Sequence, residues 1–470
     1  MRTFSSILVA VAALVPGCRG NVNDDGVLLA STVRISLNSS GAQGNDDCST
    51  VEHFGISSDG RFIAFTSKAS NIVSNDGNDA EDIFRRDTVT GQTILVSAST
   101  SGNSANAKSN RPQISGDGRY VTFESAASDL PDAPVGPPGA GFIQIYRRDC
   151  DTGTTVLVSR STGLFGIPAN GNCRYGVMSA DGRYVAFESQ GESLDGTVGG
   201  GIDAEVPGVG AEDIWRRDLD PASGFETTLV SRASGSAGGV PTGAKGNARS
   251  RQPSISDTGQ FIAWESDATN LVAVGPVEGG PDTNGLSDVY RRDMVTFTTI
   301  RITRDTTGGD PNGVCEHAEI SGDGQWVTFR STASDIHADD DGTEPDIFTR
   351  DVVGGVNHIE SVHSSGSQAG SSCHHPNISQ DGRFVVFQSD STNLINGDTN
   401  NATDCFLHDR VTSATIRVSV ATFGTQADGF STRPRISRDG RFVVFATTAT
   451  NLADDDSNGV PDVYRRGPLR

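Results

Sequence analysis

The sequence predicts an all-β fold, a single seven-bladed β-propeller of four-stranded antiparallel blades. Three observations carry that prediction. One motif recurs seven times, its central strand is apolar at successive positions, and the chain's beginning supplies a strand that its end lacks. The motif reads I-S-x-D-G-R-[FY]-[IV]-x-F and starts at Ile56, Ile114, Val177, Ile255, Ile320, Ile378 and Ile436. Its turn glycines (Gly60, Gly118, Gly182, Gly259, Gly324, Gly382 and Gly440) stand 58, 64, 77, 65, 58 and 58 residues apart. The base unit is therefore 58 residues, and copies two to four carry insertions at 131–141, 191–210 and 272–280.

Each element of the unit has its own reason. The first strand ends at the Ile-Ser pair. The Asp-Gly that follows marks a tight hairpin whose central residues need positive φ. The second strand, Phe62-Ile63-Ala64-Phe65 in copy one, is apolar without alternation and so is buried on both faces. The third runs from Asp82 to Asp87 and is echoed at Asp213, Asp288, Asp346, Asp404 and Asp462. A Thr90-Gly91 turn leads to the fourth, Thr93 to Ser97. A sheet buried on both faces packs between two like sheets, and seven of them close radially. The seventh copy stops after its third strand, at Tyr464-Arg465-Arg466. Its fourth strand is found at Thr32-Val33-Arg34-Ile35-Ser36, which echoes Thr415-Ile416-Arg417-Val418-Ser419. Residues 33–37 are thus expected to complete the last blade and leave no open sheet edge. The propeller spans 33–467.

Composition bounds the function. Acidic residues number 59 against 37 basic, a net charge of −22, which excludes nucleic acid as a partner and favours cations. Arg2 and the apolar run Phe4 to Leu14 read as a secretory leader too short to span a bilayer. Val15-Pro16-Gly17-Cys18 follows and resembles a bacterial lipobox. Residues 1–17 are then a signal peptide, Cys18 the lipidated residue, 18–32 a linker, and the product an exported outer-membrane lipoprotein, since residue 19 is Arg rather than Asp. A plain signal peptide is the alternative. Membrane contact is expected only through the lipid, and the chain is expected to be a monomer. Export puts Cys48, Cys150, Cys173, Cys315, Cys373 and Cys405 in a disulfide-permissive compartment, with fifteen possible pairings.

The full repeat, S-x-D-G-R-[FY]-V-x-F-x-S…N-L…D-x-N-G…D-V-[FY]-x-R-D…T-x-R-V-S, resembles the TolB-like, WD-type β-propeller repeats of bacterial envelope proteins over residues 33–467. The resemblance implies a non-catalytic binding or scaffold module of the cell envelope, with an envelope protein or a glycan as partner. Such repeats also serve enzymes. Propeller peptidases add an α/β-hydrolase domain, whose G-x-S-x-G elbow has no counterpart here. Oligogalacturonate lyases, similar in architecture, hold a metal in a His-rich channel, which implies a second reading as a metal-dependent polysaccharide lyase or hydrolase. A purely structural envelope protein is a third.

Strand alternation puts the turns after strands one and three on one face. The loops after strands two and four, which include every insertion, share the other, and recognition usually sits in such loops. Four residues before the strand-one Ser, the copies read His53, Arg111, Tyr175, Gln252, His317, His375 and Arg433, a set expected at the channel mouth. Cys315 and Cys373 lie two residues earlier in adjacent blades. Together with the histidines they offer zinc or copper ligands; otherwise they line a polar mouth and join as a disulfide. On the same face a D-x-N-x-x-x-D loop recurs as Asp76, Asn78, Asp82; Asp282, Asn284, Asp288; Asp398, Asn400, Asp404; and Asp456, Asn458, Asp462. Asp340, Asp341 and Asp346 form a degenerate copy, and Gln144 replaces the last Asp in copy two. This spacing resembles the opening of a calcium loop, so calcium is the candidate cofactor. The competing reading makes the Asp and Asn residues turn formers. The Arg-Arg-Asp triplets on strand three, such as Arg85-Arg86-Asp87, are read as structural ion pairs, and Cys405 as a buried apolar residue.

Overall fold

The computed structural model describes residues 30–48, 54–133, 141–195, 212–237, 240–272, 280–340, 342, 344–453 and 456–469. Seven four-stranded antiparallel sheets form the blades of a propeller, each with its first strand nearest the axis. Blade one comprises Gly55–Ile56, Phe62–Ser67, Asp82–Asp87 and Thr93–Leu95, and blades two to six repeat this order. Blade seven joins Ser431–Ile436, Val443–Thr447 and Asp462–Gly467 to the N-terminal strand Ser31–Arg34. Ser31 lies opposite Gly467 and Arg34 opposite Tyr464. The closing strand starts two residues before the expected Val33 and ends earlier. Ile35 still donates to the Val463 carbonyl at 2.7 Å, but Leu37 already turns back onto Ile35. The leader residues, Cys18 included, lie outside the described residues.

The core is divided into layers, one between each pair of neighbouring blades. Between blades seven and one, Phe54, Ile63, Phe65 and Phe84 pack on Val444, Ala446 and Val463. Cys405 is buried in the next layer, with Leu407, Phe445 and Tyr464. Burial of both faces of strand two is what its unbroken apolar run requires.

The strand-three triplets tie the blades together. Gly118, at φ +77°, seats blade two's turn on Phe62 of blade one, so close that an added Cβ would stand 2.2 Å from the ring. Arg85 stacks on the same ring at 4.6 Å and donates to the Gly118 carbonyl at 2.7 Å. Arg147 does the same for Gly182, Arg216 for Gly259 and Arg291 for Gly324. Arg465 does so for Gly60, sealing the ring across its closure. The second arginine reaches back to the preceding blade: Arg217, fully buried, donates to the carbonyls of Arg160, Ser161 and Gly163 and to Thr227 Oγ1. The aspartate takes the arginine of the D-G-R turn, as in Arg61–Asp87 at 2.7 Å.

The disulfide expected between Cys315 and Cys373 is not formed; all six described cysteines are free thiols. The two occupy the same place in adjacent blades, and each faces a serine of its own sheet, Ser331 opposite Cys315 and Ser389 opposite Cys373. Burial pushes the Cys373 thiol up to about 12, which disfavours its thiolate form.

Candidate functional site

The first strands converge on a cup at the axis. Six of the seven expected mouth residues, Arg111, Tyr175, Gln252, His317, His375 and Arg433, line it; His53 lies outside the described residues. Their placement has a local cause. In blades two to seven the first strand carries a bulge between its second and fifth residues, such as Asn110/Gln113 and His374/Asn377. The residue in the bulge has left-handed φ: Arg111 +48°, Tyr175 +53°, Gln252 +49°, His317 +55°, His375 +51° and Arg433 +56°. Non-glycine residues held there carry on the order of 1–3 kcal/mol of strain each, which persists only where the surroundings enforce it. The bulge re-aims the side chain off the sheet.

The enforcing groups are polar residues on strand two of the preceding blade. Glu124 Oε1 accepts the Tyr175 N–H at 2.7 Å, Glu265 Oε2 that of His317 at 2.9 Å, and Glu188 Oε2 that of Gln252 at 3.3 Å. Gln388 Oε1 accepts the Arg433 N–H at 2.7 Å. Blade five carries Arg330 at this position, which donates to the Cys373 carbonyl instead. Sequence reasoning missed these residues. Their signal is a single Glu or Gln in an otherwise apolar strand, Phe-Glu-Ser or Trp-Glu-Ser, repeated at one position. Burial pushes Glu188 up to about 7.

The arginines of the cup differ in their pairing. Arg111 stacks on the Tyr175 ring at 4.4 Å and pairs with Glu124 at 3.2 Å. Arg433 has no acidic partner among the described residues. His375 is driven down to about 3 by burial, then by His317, Arg433, Arg435 and His374. Below the ring, ion pairs Arg435–Glu319 and Arg438–Asp257 join blade seven to blades five and four across the axis. The channel is thus spanned beneath its mouth, which makes a receptacle open on the insertion-bearing face.

The histidines come together in part. His317 and His375 meet edge to face with centroids 5.3 Å apart, and His374 stands 6.4 Å from His375. Among the described residues the one group of three potential metal ligands lies elsewhere, at Asp282, Asp288 and Asp310.

In the acidic loops the asparagines form turns. Asn78 Oδ1 accepts Ala80 N–H and its Nδ2 donates to Ala105 O; Asn284, Asn400 and Asn458 repeat this with Leu286 and Pro311, Ala402 and Ala427, and Val460 and Gly44. The last aspartate of each loop accepts a hydroxyl from the end of strand four: Ser97 on Asp82, Thr303 on Asp288, Ser419 on Asp404 and Ser36 on Asp462.

No protein-family model and no curated protein sequence matches the chain. Solved propellers do. Oligogalacturonate lyase from Vibrio parahaemolyticus aligns over 93% of this chain and 97% of its own at 11% identity and TM-score 0.51. An oligogalacturonate lyase in complex with manganese aligns over 94% and 97% at 12% identity and TM-score 0.51. TolB from Acinetobacter baumannii aligns over 72% of this chain and 59% of its own, at 15% identity and TM-score 0.37. At such identities the likeness establishes the propeller fold, and the site must speak for function.

Proposed function

We propose that the chain is an exported, non-catalytic binding module of the bacterial envelope, tethered through Cys18, whose cup takes an acidic glycan. The observation that carries this reading is the mouth of the cup. Arg433 offers a guanidinium with no acidic partner among the described residues, beside Tyr175 and Gln252, which add stacking and hydrogen bonding. Planar guanidinium groups match sugar carboxylates, and aromatic rings match sugar faces. The strained φ of these six lining residues supports a functional ring, because elsewhere among the described residues non-glycine left-handed φ falls in turns and loops rather than in strands.

Calorimetric titration with oligogalacturonate against a neutral maltooligosaccharide tests the reading. The acidic glycan alone should bind, and Arg433→Ala should weaken it at least about tenfold, the loss of one charged hydrogen bond. Equal binding of the two glycans, or none, would sink it. The metal-dependent lyase reading draws support from the His317–His375 contact and from the architecture shared with oligogalacturonate lyases. It requires unsaturated uronate to appear when manganese is added, and to vanish in His317→Ala.

A further inference from the structure

The four D-x-N-x-x-x-D loops are not equivalent. In two of them an arginine from strand four bridges the two loop carboxylates, and in a third it pairs with the last aspartate and with Asp310. Arg417 Nη1 lies 3.1 Å from Asp398 and 3.0 Å from Asp404 in blade six. Arg34 lies 3.5 Å from Asp456 and 3.4 Å from Asp462 in blade seven. Arg301 lies 3.5 Å from Asp288 in blade four and also pairs with Asp310. All three arginines hold one register position, opposite the third-strand aromatic Phe406, Tyr464 or Tyr290.

Blade one keeps the loop and loses the arginine. Opposite Phe84 stands Leu95. A second donor is shortened with it, to a serine that hydrogen-bonds Asp76. Gln426 donates to Asp398 at 3.1 Å, and Gln43 to Asp456 and Asp462 at 3.0 Å each. Their counterpart in blade one, fixed by the bridge Ala98↔Ser104 that matches Leu37↔Gln43 and Val420↔Gln426, is Ser104. Blades two and three also lack the arginine but resolve the conflict. Blade two replaces the aspartate by Gln144, and blade three pairs Asp213 with Lys245 at 2.7 Å. Blade five's loop is degenerate and lies partly outside the described residues.

Asp82 is fully buried. Its Oδ1 accepts Ser97 Oγ at 2.5 Å, while its Oδ2 is buried without a hydrogen-bond partner. No basic side chain pairs with Asp76 or Asp82 among the described residues. Burial, then the neighbouring Asp76, pushes the Asp82 carboxyl up to about 7. Two facing carboxylates with no counter-charge are an unfinished electrostatic unit.

We propose that Asp76 and Asp82 of blade one bind a single calcium ion where the sister blades carry an internal guanidinium. The available donors are oxygens, from the two carboxylates and the Ser104 hydroxyl, with water completing the shell; Asn78 is already committed to its turn. An oxygen-only set of flexible geometry suits calcium, serves magnesium less well, and offers nothing to zinc or copper. The site stands independently of the glycan cup.

The full-length protein, stripped with chelator, is dialysed against calcium and melted with and without it. One calcium per chain should bind, and calcium should raise the melting temperature more than magnesium does. Leu95→Arg should bring the internal cation back: bound calcium falls to zero and the calcium-free melting temperature rises toward the loaded wild-type value. Leu95→Met, which keeps the packing, should still bind one ion. Asp82→Asn should abolish binding without lowering the calcium-free melting temperature, which keeps the test decisive if Leu95→Arg fails to fold. Arg417→Leu should open a second site and raise the count to two. A wild type that binds no calcium overturns the proposal, as does an ion that survives both Leu95→Arg and Asp82→Asn. Stability that is indifferent to calcium but falls as pH rises through about 7 also overturns it, because the pair would then share a proton instead.

Discussion

The two faces of the ring obey different rules. On the face of the tight turns, the same residues recur in nearly every blade and answer one another across the blade boundary: glycine on aromatic ring, first arginine on glycine carbonyl, aspartate on arginine. On the face of the cup, one backbone geometry recurs while the side chains it presents differ: arginine, tyrosine, glutamine, histidine, histidine and arginine in turn. Identity that repeats serves the ring. Geometry that repeats under changing identity serves whatever enters the cup.

The largest expected effect removes the closure on which both faces depend. Deleting residues 1–37 takes away the strand that pairs with Asp462–Gly467 and strips Val33 and Ile35 from the layer between blades seven and one. Cooperative melting should be lost, whereas deletion of 1–28 should leave the melting curve in place. Next comes the tight-turn face. Arg217→Ala removes four buried hydrogen bonds, to three carbonyls and one hydroxyl, and its cost should be on the order of 3–5 kcal/mol by chemical denaturation. Arg148→Ala, whose one such bond is to Thr155, should cost about 1 kcal/mol. Equal losses would mean that packing rather than these bonds carries the staple.

Effects on the cup face should be smaller in stability. His375 is held down to about 3 from 6.5 in the folded ring, so its contribution is complete above pH 6.5 and is lost as pH falls toward 3. Between pH 6.5 and 5 the wild type should lose about 2 kcal/mol more than His375→Gln does. A pH profile unchanged by the substitution would mean that the imidazole is solvated. Smallest is Gln252→Gly, which frees a residue at φ +49° and should change stability by no more than about 1 kcal/mol, in the stabilising direction. If it also abolishes glycan binding, the strain serves the ligand. A destabilisation instead would show the bulge to be a structural feature like the turns.

Most of the fold was legible because its determinants are local and repeated: an Asp-Gly turn, an unalternating apolar strand, and a fourth strand displaced to the chain's beginning. The ring positions were legible too, since a fixed offset from a repeated serine finds six residues that do meet at the axis. The bulge that aims them was not, because no residue type demands it. It is imposed from the neighbouring blade by Glu124, Glu188, Glu265 and Gln388, each a single polar letter in a buried strand. Cys315 and Cys373 misled for a related reason. Equal positions in adjacent blades look close in sequence terms, yet each thiol faces a serine of its own sheet. Arg417 and its sisters were read as strand residues of a repeat; that they fill the place of a cation becomes visible only beside Leu95, the copy that lacks one.

The clasp in blade seven also has a mechanical side. Ser31 lies opposite Gly467 in an antiparallel pair, so the two ends of the ring leave the sheet at the same place and in opposite chain senses. A pull applied between them loads the clasp one residue pair at a time, starting at Ser31–Gly467, as a zipper is opened, rather than shearing all four pairs at once. Blades one to six, each stitched from consecutive strands, feel that pull only after the clasp has parted. A molecule held by its N-terminal end and tugged at its C-terminal end therefore opens first between blades seven and one, at the layer where Phe65 meets Val444.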